Sequence, residues 1–222
     1  MGAVGTASDS AATAEPSAPS AATSSPATPR LGTPGPAKSQ TSTPTGATAS
    51  RPAPPREAQA ELDRRLILAA IAYNAPLVKQ LIRAGGNVNA KDAIQDSAFL
   101  YAGAEGFNDV LRLTLANGAD VSSTNRYGGT ALIPASEHGH VDTVRILIAA
   151  GVPVNHVNNL GWTAMQEAVL LNNGGPRQQE VVRLLLAAGA DPSIRDPQGR
   201  TALDNAERLG FADIAALIRG RS

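Results

Sequence analysis

The feature that most constrains this fold is a ten-residue segment that occurs four times along the chain. The copies read RAGGNVNAKD, ANGADVSSTN, AAGVPVNHVN and AAGADPSIRD, and their third-position glycines are Gly85, Gly118, Gly151 and Gly189. These glycines lie 33, 33 and 38 residues apart. A period near 33 residues is typical of stacked repeats, in which each unit buries its apolar face against its neighbours.

A second marker keeps the same step along the chain. Four hydroxyl residues are each followed by alanine and then by a bulky apolar residue, and these are Ser97, Thr130, Thr163 and Thr201. Because two separate markers agree on one period, the sequence predicts a repeat array.

The third repeat shows the order of elements within one unit. Thr130 is a suitable N-cap for a helix over residues 131–137, and Gly139 ends that helix where a left-handed residue is needed. Apolar residues then predict a second helix over residues 141–149, which Gly151 ends. An extended hairpin-like turn leads into the next unit.

This order and spacing resemble the ankyrin repeat, whose pattern is approximately G-x-T-P-L-H-x-A-A-x-x-G-H…V-V-x-L-L-L-x-x-G-A-D-V-N. The matching residues of the third repeat are Gly128, Thr130, Leu132, Ala135, Gly139, His140, Val144, Leu147, Gly151, Val154 and Asn155. The resemblance covers nearly all of residues 62–218 and implies an all-α repeat solenoid of about five helix-turn-helix units with hairpin-like loops. The predicted units are 61–91, 92–124, 125–157, 158–195 and 196–219. Such a resemblance specifies fold and leaves function open.

The chain departs from the family pattern in three ways. The family's histidine is replaced in the five units by Ile67, Leu100, Ile133, Gln166 and Asp204. The Thr–His hydrogen-bond network is therefore expected to be missing, so that apolar packing holds most of the stack. Pro134 lies about one turn inside its helix, where it removes a backbone donor. The fourth unit has five extra residues within LLNNGGPRQQ, which predict a longer surface loop.

Residues 1–56 differ in composition from the rest of the chain. They are almost entirely Ala, Ser, Thr, Pro and Gly, and they hold ten of the 16 prolines. Such a segment cannot bury enough apolar surface to offset the conformational entropy lost on ordering. It is therefore predicted to be a disordered tail or linker. The repeat domain is then predicted to cover residues 57–222.

Charge and composition narrow the classes of partner. Lys and Arg total 19 and Asp and Glu total 19, so the chain lacks the one-sided basic field that supports nucleic-acid binding. No apolar stretch approaches the roughly 20 residues of a transmembrane helix. We expect no nucleic-acid partner, no transmembrane segment and a monomer. Localisation stays open between the cytoplasm and export to the periplasm, the latter if a signal peptide has been removed or missed.

The sequence contains no catalytic signature, and we expect no enzyme activity and no cofactor. A phosphate-binding loop, a dinucleotide fingerprint and a zinc-protease motif are all missing, and the chain has no cysteine. The segment Glu137-His138-Gly139-His140 offers possible metal ligands, but a helix stop separates its two histidines. No metal site is therefore expected.

The predicted function is a non-enzymatic protein–protein interaction module. In ankyrin folds, partners bind the hairpin tips and the exposed face of each first helix on the concave surface. Mapped by repeat register, the predicted partner-binding residues are Arg126, Tyr127, Glu137, His138, Asn159, Leu160 and Trp162. Tyr, Trp and Arg are the residue types enriched at interface hot spots, and Trp162 is expected at an exposed tip. The alternative interpretation is that Trp162 and Tyr127 merely pack against neighbouring tips and stiffen the array.

Two other functions stay open at this point. The first is an exported or periplasmic accessory or protective protein, tethered through its disordered tail. The second is a small-ligand binder or enzyme, which no motif supports and which would need a pocket near residues 172–179.

Overall fold

The computed structural model of the chain describes residues 55–220. This part contains ten α-helices and two isolated antiparallel β-bridges, Lys91 with Ser97 and Thr124 with Thr130. In chain order the helices are α1 (Arg56–Ile71), α2 (Ala75–Arg83), α3 (Ala98–Glu105), α4 (Asn108–Leu115), α5 (Leu132–Glu137), α6 (Val141–Ala149), α7 (Ala164–Leu170), α8 (Pro176–Ala187), α9 (Ala202–Arg208) and α10 (Ala212–Arg219).

The helices stack as five consecutive pairs in two layers. The first helices of successive pairs contact one another from α1 through α3, α5 and α7 to α9, and the second helices do the same from α2 to α10. One continuous apolar core runs between the layers and includes Leu66, Phe99, Leu132 and Met165. The prediction of an all-α repeat solenoid with about five helix-turn-helix units is therefore confirmed.

The second half of the third repeat matches its prediction. Helix α6 spans residues 141–149, as the apolar pattern indicates. The two glycines that were expected to end the helices of this repeat adopt left-handed backbone conformations, with φ of 65° at Gly139 and 84° at Gly151. Only glycine adopts this conformation without a steric cost, so both positions favour glycine.

The prediction that Thr130 caps the first helix of this repeat is wrong. Helix α5 begins at Leu132, and no side chain caps its first turn. The Oγ1 atom of Thr130 is buried and has no hydrogen-bond partner. At the equivalent positions of the neighbouring repeats, Ser97 and Thr163 each accept the backbone N–H three residues ahead and cap their helices.

Pro134 explains this difference between the repeats. In the fourth repeat the N–H of Glu167 donates to the carbonyl of Thr163 at 3.0 Å, whereas the equivalent Pro134 has no N–H to donate. The N–H of Ile133 donates to the carbonyl of Thr130 instead, at 3.1 Å. In the neighbouring repeats, the capping hydroxyl accepts the N–H at the position of Ile133. Because the N–H of Ile133 bonds to the carbonyl of Thr130, the hydroxyl of Thr130 is left without a donor.

Polar bonds between repeats are more extensive than predicted. Gln166 stands where the family has histidine. Its Oε1 accepts the N–H of Thr163, and its Nε2 donates to the carbonyl of Ile194 at the end of the same repeat, both at 3.0 Å. Asn89 and Asn155 bridge to their following repeats, each donating to a glycine carbonyl and accepting an aspartate N–H at distances between 2.8 and 3.2 Å. The expected loss of this network is therefore wrong for the fourth repeat, and polar bonds supplement the apolar packing.

The five extra residues of the fourth repeat are divided between a loop and a helix. The loop between α7 and α8 covers residues 171–175, whereas residues 138–140 connect α5 to α6. The remaining three residues extend α8, which has 12 residues where α6 has 9. Pro176 occupies the first position of α8, where a helix needs no N–H donor. The loop is longer, as predicted, but the proline starts a helix.

The predicted tail, residues 1–56, lies outside the described residues except for its last two positions, and Arg56 is the first residue of α1. Among residues 55–220, no helix combines the length and the apolarity that crossing a bilayer would require.

Candidate partner-binding groove

Four hairpin tips are held by one repeated side-chain motif. In each tip, one side-chain oxygen accepts the backbone N–H groups two and four residues ahead, at distances of 2.9 to 3.0 Å. The accepting residues are Asp92, Asn125, Asn158 and Asp196. Because Asp and Asn mimic a backbone turn in this way, each tip has a defined conformation before any partner binds.

Three successive tips carry an exposed apolar side chain at the same register position. Ile94, Tyr127 and Leu160 are 46, 54 and 51% exposed, and we call these three residues the tip ridge. The fourth tip has Gln198 at this position. Single exposed apolar residues are common on protein surfaces, but an aligned row of them adds up to an apolar strip that the fold does not bury.

Arg126 links two neighbouring tips. Its Nη1 forms an ion pair with Oδ2 of Asp96 in the preceding tip, and its guanidinium carbon lies 5.0 Å from the ring centroid of Tyr127. Asp96 is only 6% exposed. Burial raises the pKa of the Asp96 carboxyl, and the positive charge of Arg126 opposes that shift. Arg126 is thereby positioned beside Tyr127, a member of the tip ridge.

A cavity of about 400 Å³ lies beside the tip ridge, against α3, α5 and α7. Its lining combines apolar side chains, such as Leu100 and Ile133, with several carboxyl groups. The cavity brings together five of the seven predicted site residues, namely Arg126, Tyr127, Glu137, His138 and Leu160.

Glu167 is a buried member of this cavity that the sequence prediction missed. It is 5% exposed, and its Oε1 accepts a hydrogen bond from Nδ2 of Asn158 at 2.7 Å. Burial raises the pKa of the Glu167 carboxyl to about 7, and the negative charge of Glu137 raises it further, while Asn158 and His138 oppose the shift. A carboxyl group with such a pKa changes its charge near neutral pH.

The register of the repeats contained a signal for Glu167. Nine residues after the tip aspartate or asparagine, a polar side chain of the first helix bonds back to it in three repeats. Tyr101 donates to Asp92 at 2.9 Å and Asn205 donates to Asp196 at 2.9 Å, and in the fourth repeat Asn158 donates to Glu167. The third repeat has Pro134 at this position, so the series is interrupted beside the cavity.

The two remaining predicted residues, Asn159 and Trp162, do not line the cavity. Asn159 is exposed, and its backbone N–H donates to the carbonyl of Tyr127 at 2.9 Å. Trp162 is only partly exposed, and its Nε1 is buried without a hydrogen-bond partner. The expectation of an exposed tryptophan at this tip is therefore wrong, because the polar edge of the indole faces the protein.

The two histidines considered as metal ligands have other surroundings. Nδ1 of His138 lies 2.9 Å from the carbonyl of Ala104, and the rings of His138 and His140 meet edge to face with centroids 5.5 Å apart. Within the described part of the chain, no three His, Cys, Asp or Glu side chains cluster closely enough to hold a metal ion. A second recess of about 520 Å³ lies against the loop 171–175, which is the region where a small-ligand site would need a pocket.

Comparison with known proteins identifies the family. The family model for ankyrin repeats, described as "Ankyrin repeats (3 copies)", matches residues 66–158 and 99–196. The chain therefore belongs to the ankyrin repeat family, and the resemblance stated from the sequence is confirmed. Ankyrin repeats are generally protein-interaction modules.

Two solved structures and one curated protein illustrate the similarity. An ankyrin repeat domain from Acinetobacter baumannii AYE is 57% identical with a TM-score of 0.69, and the match covers 70% of this chain and 80% of that one. The ankyrin repeat protein EF0377 is 40% identical with a TM-score of 0.67, over 69% of this chain and 78% of that one. The putative ankyrin repeat protein YahD of Escherichia coli K12 is 48% identical over 52 residues, which is 23% of this chain and 26% of YahD.

Proposed function

We propose that this protein is a non-enzymatic interaction module that binds a partner protein on its concave hairpin-tip and first-helix surface. The observation that carries the proposal is the tip ridge, an aligned row of exposed apolar side chains beside the cavity against α3, α5 and α7. The proposed contact residues are Arg126, Tyr127, Glu137, His138, Asn159, Leu160 and Trp162, with Trp162 contributing only its exposed edge.

Preorganisation supports this surface as a binding site. The tip backbones are held by side-chain hydrogen bonds, and Arg126 is held by Asp96, so ordering these groups costs little entropy when a partner binds. Tyr127 and Arg126 are also of the residue types that contribute most to interface hot spots.

The test is affinity capture from native extract with the full-length chain and two single variants. Tyr127→Ala removes the most exposed side chain of the tip ridge, and Leu68→Ala removes an apolar side chain of α1 that is exposed to a similar degree, 48% against 54%. We expect a partner that the wild type and Leu68→Ala retain and that Tyr127→Ala loses. Equal circular dichroism spectra would establish that all three proteins are folded.

Loss of the partner from Leu68→Ala, with retention by Tyr127→Ala, would contradict the proposal and move the interface to the first repeat. Tyr127→Ala is a sharper probe than Trp162→Ala, because the tryptophan is partly buried and its removal would disturb the packing of the tip.

A further inference from the structure

The cavity against α3, α5 and α7 carries more negative than positive charge. Its carboxyl groups are those of Asp96, Glu105, Glu137 and Glu167, whereas Arg126 is its one arginine or lysine. Arg126 is already paired with Asp96. Among the described residues, none of the three glutamates forms an ion pair.

The carboxyl groups of the cavity are incompletely satisfied by the protein itself. Glu167 is 5% exposed, lines the cavity, and has a single amide as its hydrogen-bond donor. Oδ1 of Asp96, the carboxylate oxygen that does not pair with Arg126, is buried without any hydrogen-bond partner. Burying a carboxylate without a matching cation is unfavourable, so this arrangement favours a cation that arrives from outside.

The rest of the lining suits the stem of a long basic side chain. Leu100, Ile133 and Leu160 provide apolar walls, and the ring of Tyr127 lies at the same cavity. Lysine and arginine place their methylene stems against apolar surface and their charged ends in polar surroundings. A volume of about 400 Å³ is within the range of protein ligand sites and accommodates a single side chain.

We infer that this cavity receives one lysine or arginine side chain of the bound partner, whose charged end lies between the carboxylates of Glu137 and Glu167. The inference rests on the proposed function, since a partner segment must lie along the tip ridge to insert the side chain. It adds the chemical class of partner, a protein segment with an exposed basic residue flanked by apolar ones that match the ridge.

The test is an NMR titration of the full-length protein at pH 8 with capped pentapeptides. The probes are acetyl-Gly-Gly-Lys-Gly-Gly-amide, its arginine counterpart and its norleucine counterpart, which keeps the stem without the charge. We expect the lysine and arginine peptides to shift the amide signals of Leu100, Ile133 and Glu167 with a Kd of about 1–10 mM. The norleucine peptide is expected to bind at least fivefold more weakly.

Three variants sharpen the titration. Glu167→Gln and Glu137→Gln should each weaken the lysine peptide at least fivefold, because each removes one of the two carboxylates. Glu57→Gln changes net charge equally on exposed surface of α1 and should leave the affinity unchanged. Equal binding of lysine and norleucine peptides, unaltered affinity in Glu167→Gln, or no shift with any peptide would each overturn the inference.

The affinity of the lysine peptide should also fall as the pH is lowered from 8 to 6. Protonation of Glu167 removes a negative charge from the cavity. The groups that act on the Glu167 carboxyl are Glu137, Asn158 and His138, and the other charged groups that line the cavity are Asp96, Glu105 and Arg126. The same pH change should leave the weaker norleucine affinity unaltered. An affinity for the lysine peptide that rises at pH 6 would contradict the assignment.

The capture experiment separates the two proposals. A partner that is lost from Tyr127→Ala and retained by Glu167→Gln would support the interaction surface and overturn the cation site. Lysine-peptide binding without any partner that depends on Tyr127 would support the chemistry of the cavity and overturn the proposed interface.

Discussion

Helices α5 and α7 occupy equivalent places in successive repeats and pack against each other, yet their first turns are built differently. In α7, Thr163 and Gln166 form a reciprocal capping box. In α5, Pro134 has no backbone N–H to donate, and the hydroxyl of Thr130 is buried without a hydrogen-bond partner. The difference teaches that one family pattern tolerates both a fully bonded and an incompletely bonded first turn, provided that the apolar core is continuous.

The two helices also differ in the charge that they bring to the cavity. The residue in the first turn of α5 is Pro134, whereas the equivalent residue of α7 is the buried Glu167. Each is unfavourable for folding in its own way, and both line the same cavity. A proline in a helix and a buried carboxyl group are both exceptions to the usual rules of folding. In natural proteins such exceptions usually occur at functional sites, and we propose that a partner binds here.

The largest expected effect is that of Glu167→Gln at alkaline pH. The Glu167 carboxyl has a pKa of about 7 against a reference value of 4.5, so between these pH values the unfolded chain ionises while the folded chain keeps its proton. The contribution of Glu167 to the unfolding free energy of the wild type therefore falls by roughly 3 kcal/mol as the pH rises through this window. The glutamine side chain of the variant cannot ionise, and its amide oxygen can still accept the bond from Asn158.

Urea unfolding at several pH values measures this effect. The variant should match the wild type at pH 4 and exceed its unfolding free energy at pH 8. Curves that stay parallel from pH 4 to pH 8 would show that Glu167 does not titrate in this window.

Gln166→Ala should have the next largest effect and should destabilise the protein. It removes both the capping-box partner of Thr163 and the bond to the carbonyl of Ile194, so we expect a cost of about 2 kcal/mol in unfolding free energy. Gln198→Ala, at an exposed tip, is the control and should change stability by less than about 0.5 kcal/mol. A cost no greater than that of the control would mean that the hydrogen bonds of Gln166 to Thr163 and Ile194 contribute nothing to stability.

A matched pair of substitutions compares the two threonines directly. Thr163→Val removes a capping hydroxyl and should cost about 1 kcal/mol. Thr130→Val removes a buried hydroxyl that has no partner, and should leave stability unchanged or raise it by up to about 1 kcal/mol. Chemical unfolding of both variants under one condition checks the contrast, and equal costs would mean that Thr130 caps α5 in solution.

The smallest expected effect is that of Pro134→Ala. The new alanine N–H can donate to the carbonyl of Thr130, which frees the N–H of Ile133 for the threonine hydroxyl. Proline also stabilises a folded protein by restricting the unfolded chain, and the substitution loses that contribution. Because the gained hydrogen bonds outweigh this loss, we expect the unfolding free energy to rise by about 0.5 kcal/mol. Amide hydrogen exchange should show protection of the new alanine N–H at position 134, and combining this variant with Thr130→Val should reduce the gain. Rapid exchange of that new N–H would contradict the explanation.

Much of the fold was predictable from local patterns, and the exceptions have physical reasons. The bounds of α6 and the left-handed conformations of Gly139 and Gly151 follow from apolar spacing and from the steric freedom of glycine. The failure at Thr130 arose because the missing donor of Pro134 redirects a neighbouring hydrogen bond. The bond from Gln166 to Ile194 joins residues that are 28 positions apart in the sequence, and local pattern does not indicate which carbonyl lies opposite.

The candidate site was predictable to a lesser extent. Repeat register assigned Arg126, Tyr127 and Glu137 to neighbouring tips and a first helix, and in the structure all three line one cavity, because equivalent positions of stacked repeats lie side by side. Register alone does not give the depth of a side chain. For that reason Trp162 was expected to be more exposed than it is, and the burial of Glu167 was missed.

The most direct measurement of the central claim, that partners bind along the tip ridge, is site-specific photo-cross-linking in the native cells. A benzophenone amino acid would replace Tyr127 in one full-length variant and Leu68 in another, two exposed positions on different repeats. We predict a cross-linked protein adduct from position 127 and none from position 68. An adduct from position 68 alone would contradict the account and place the interface on the first repeat.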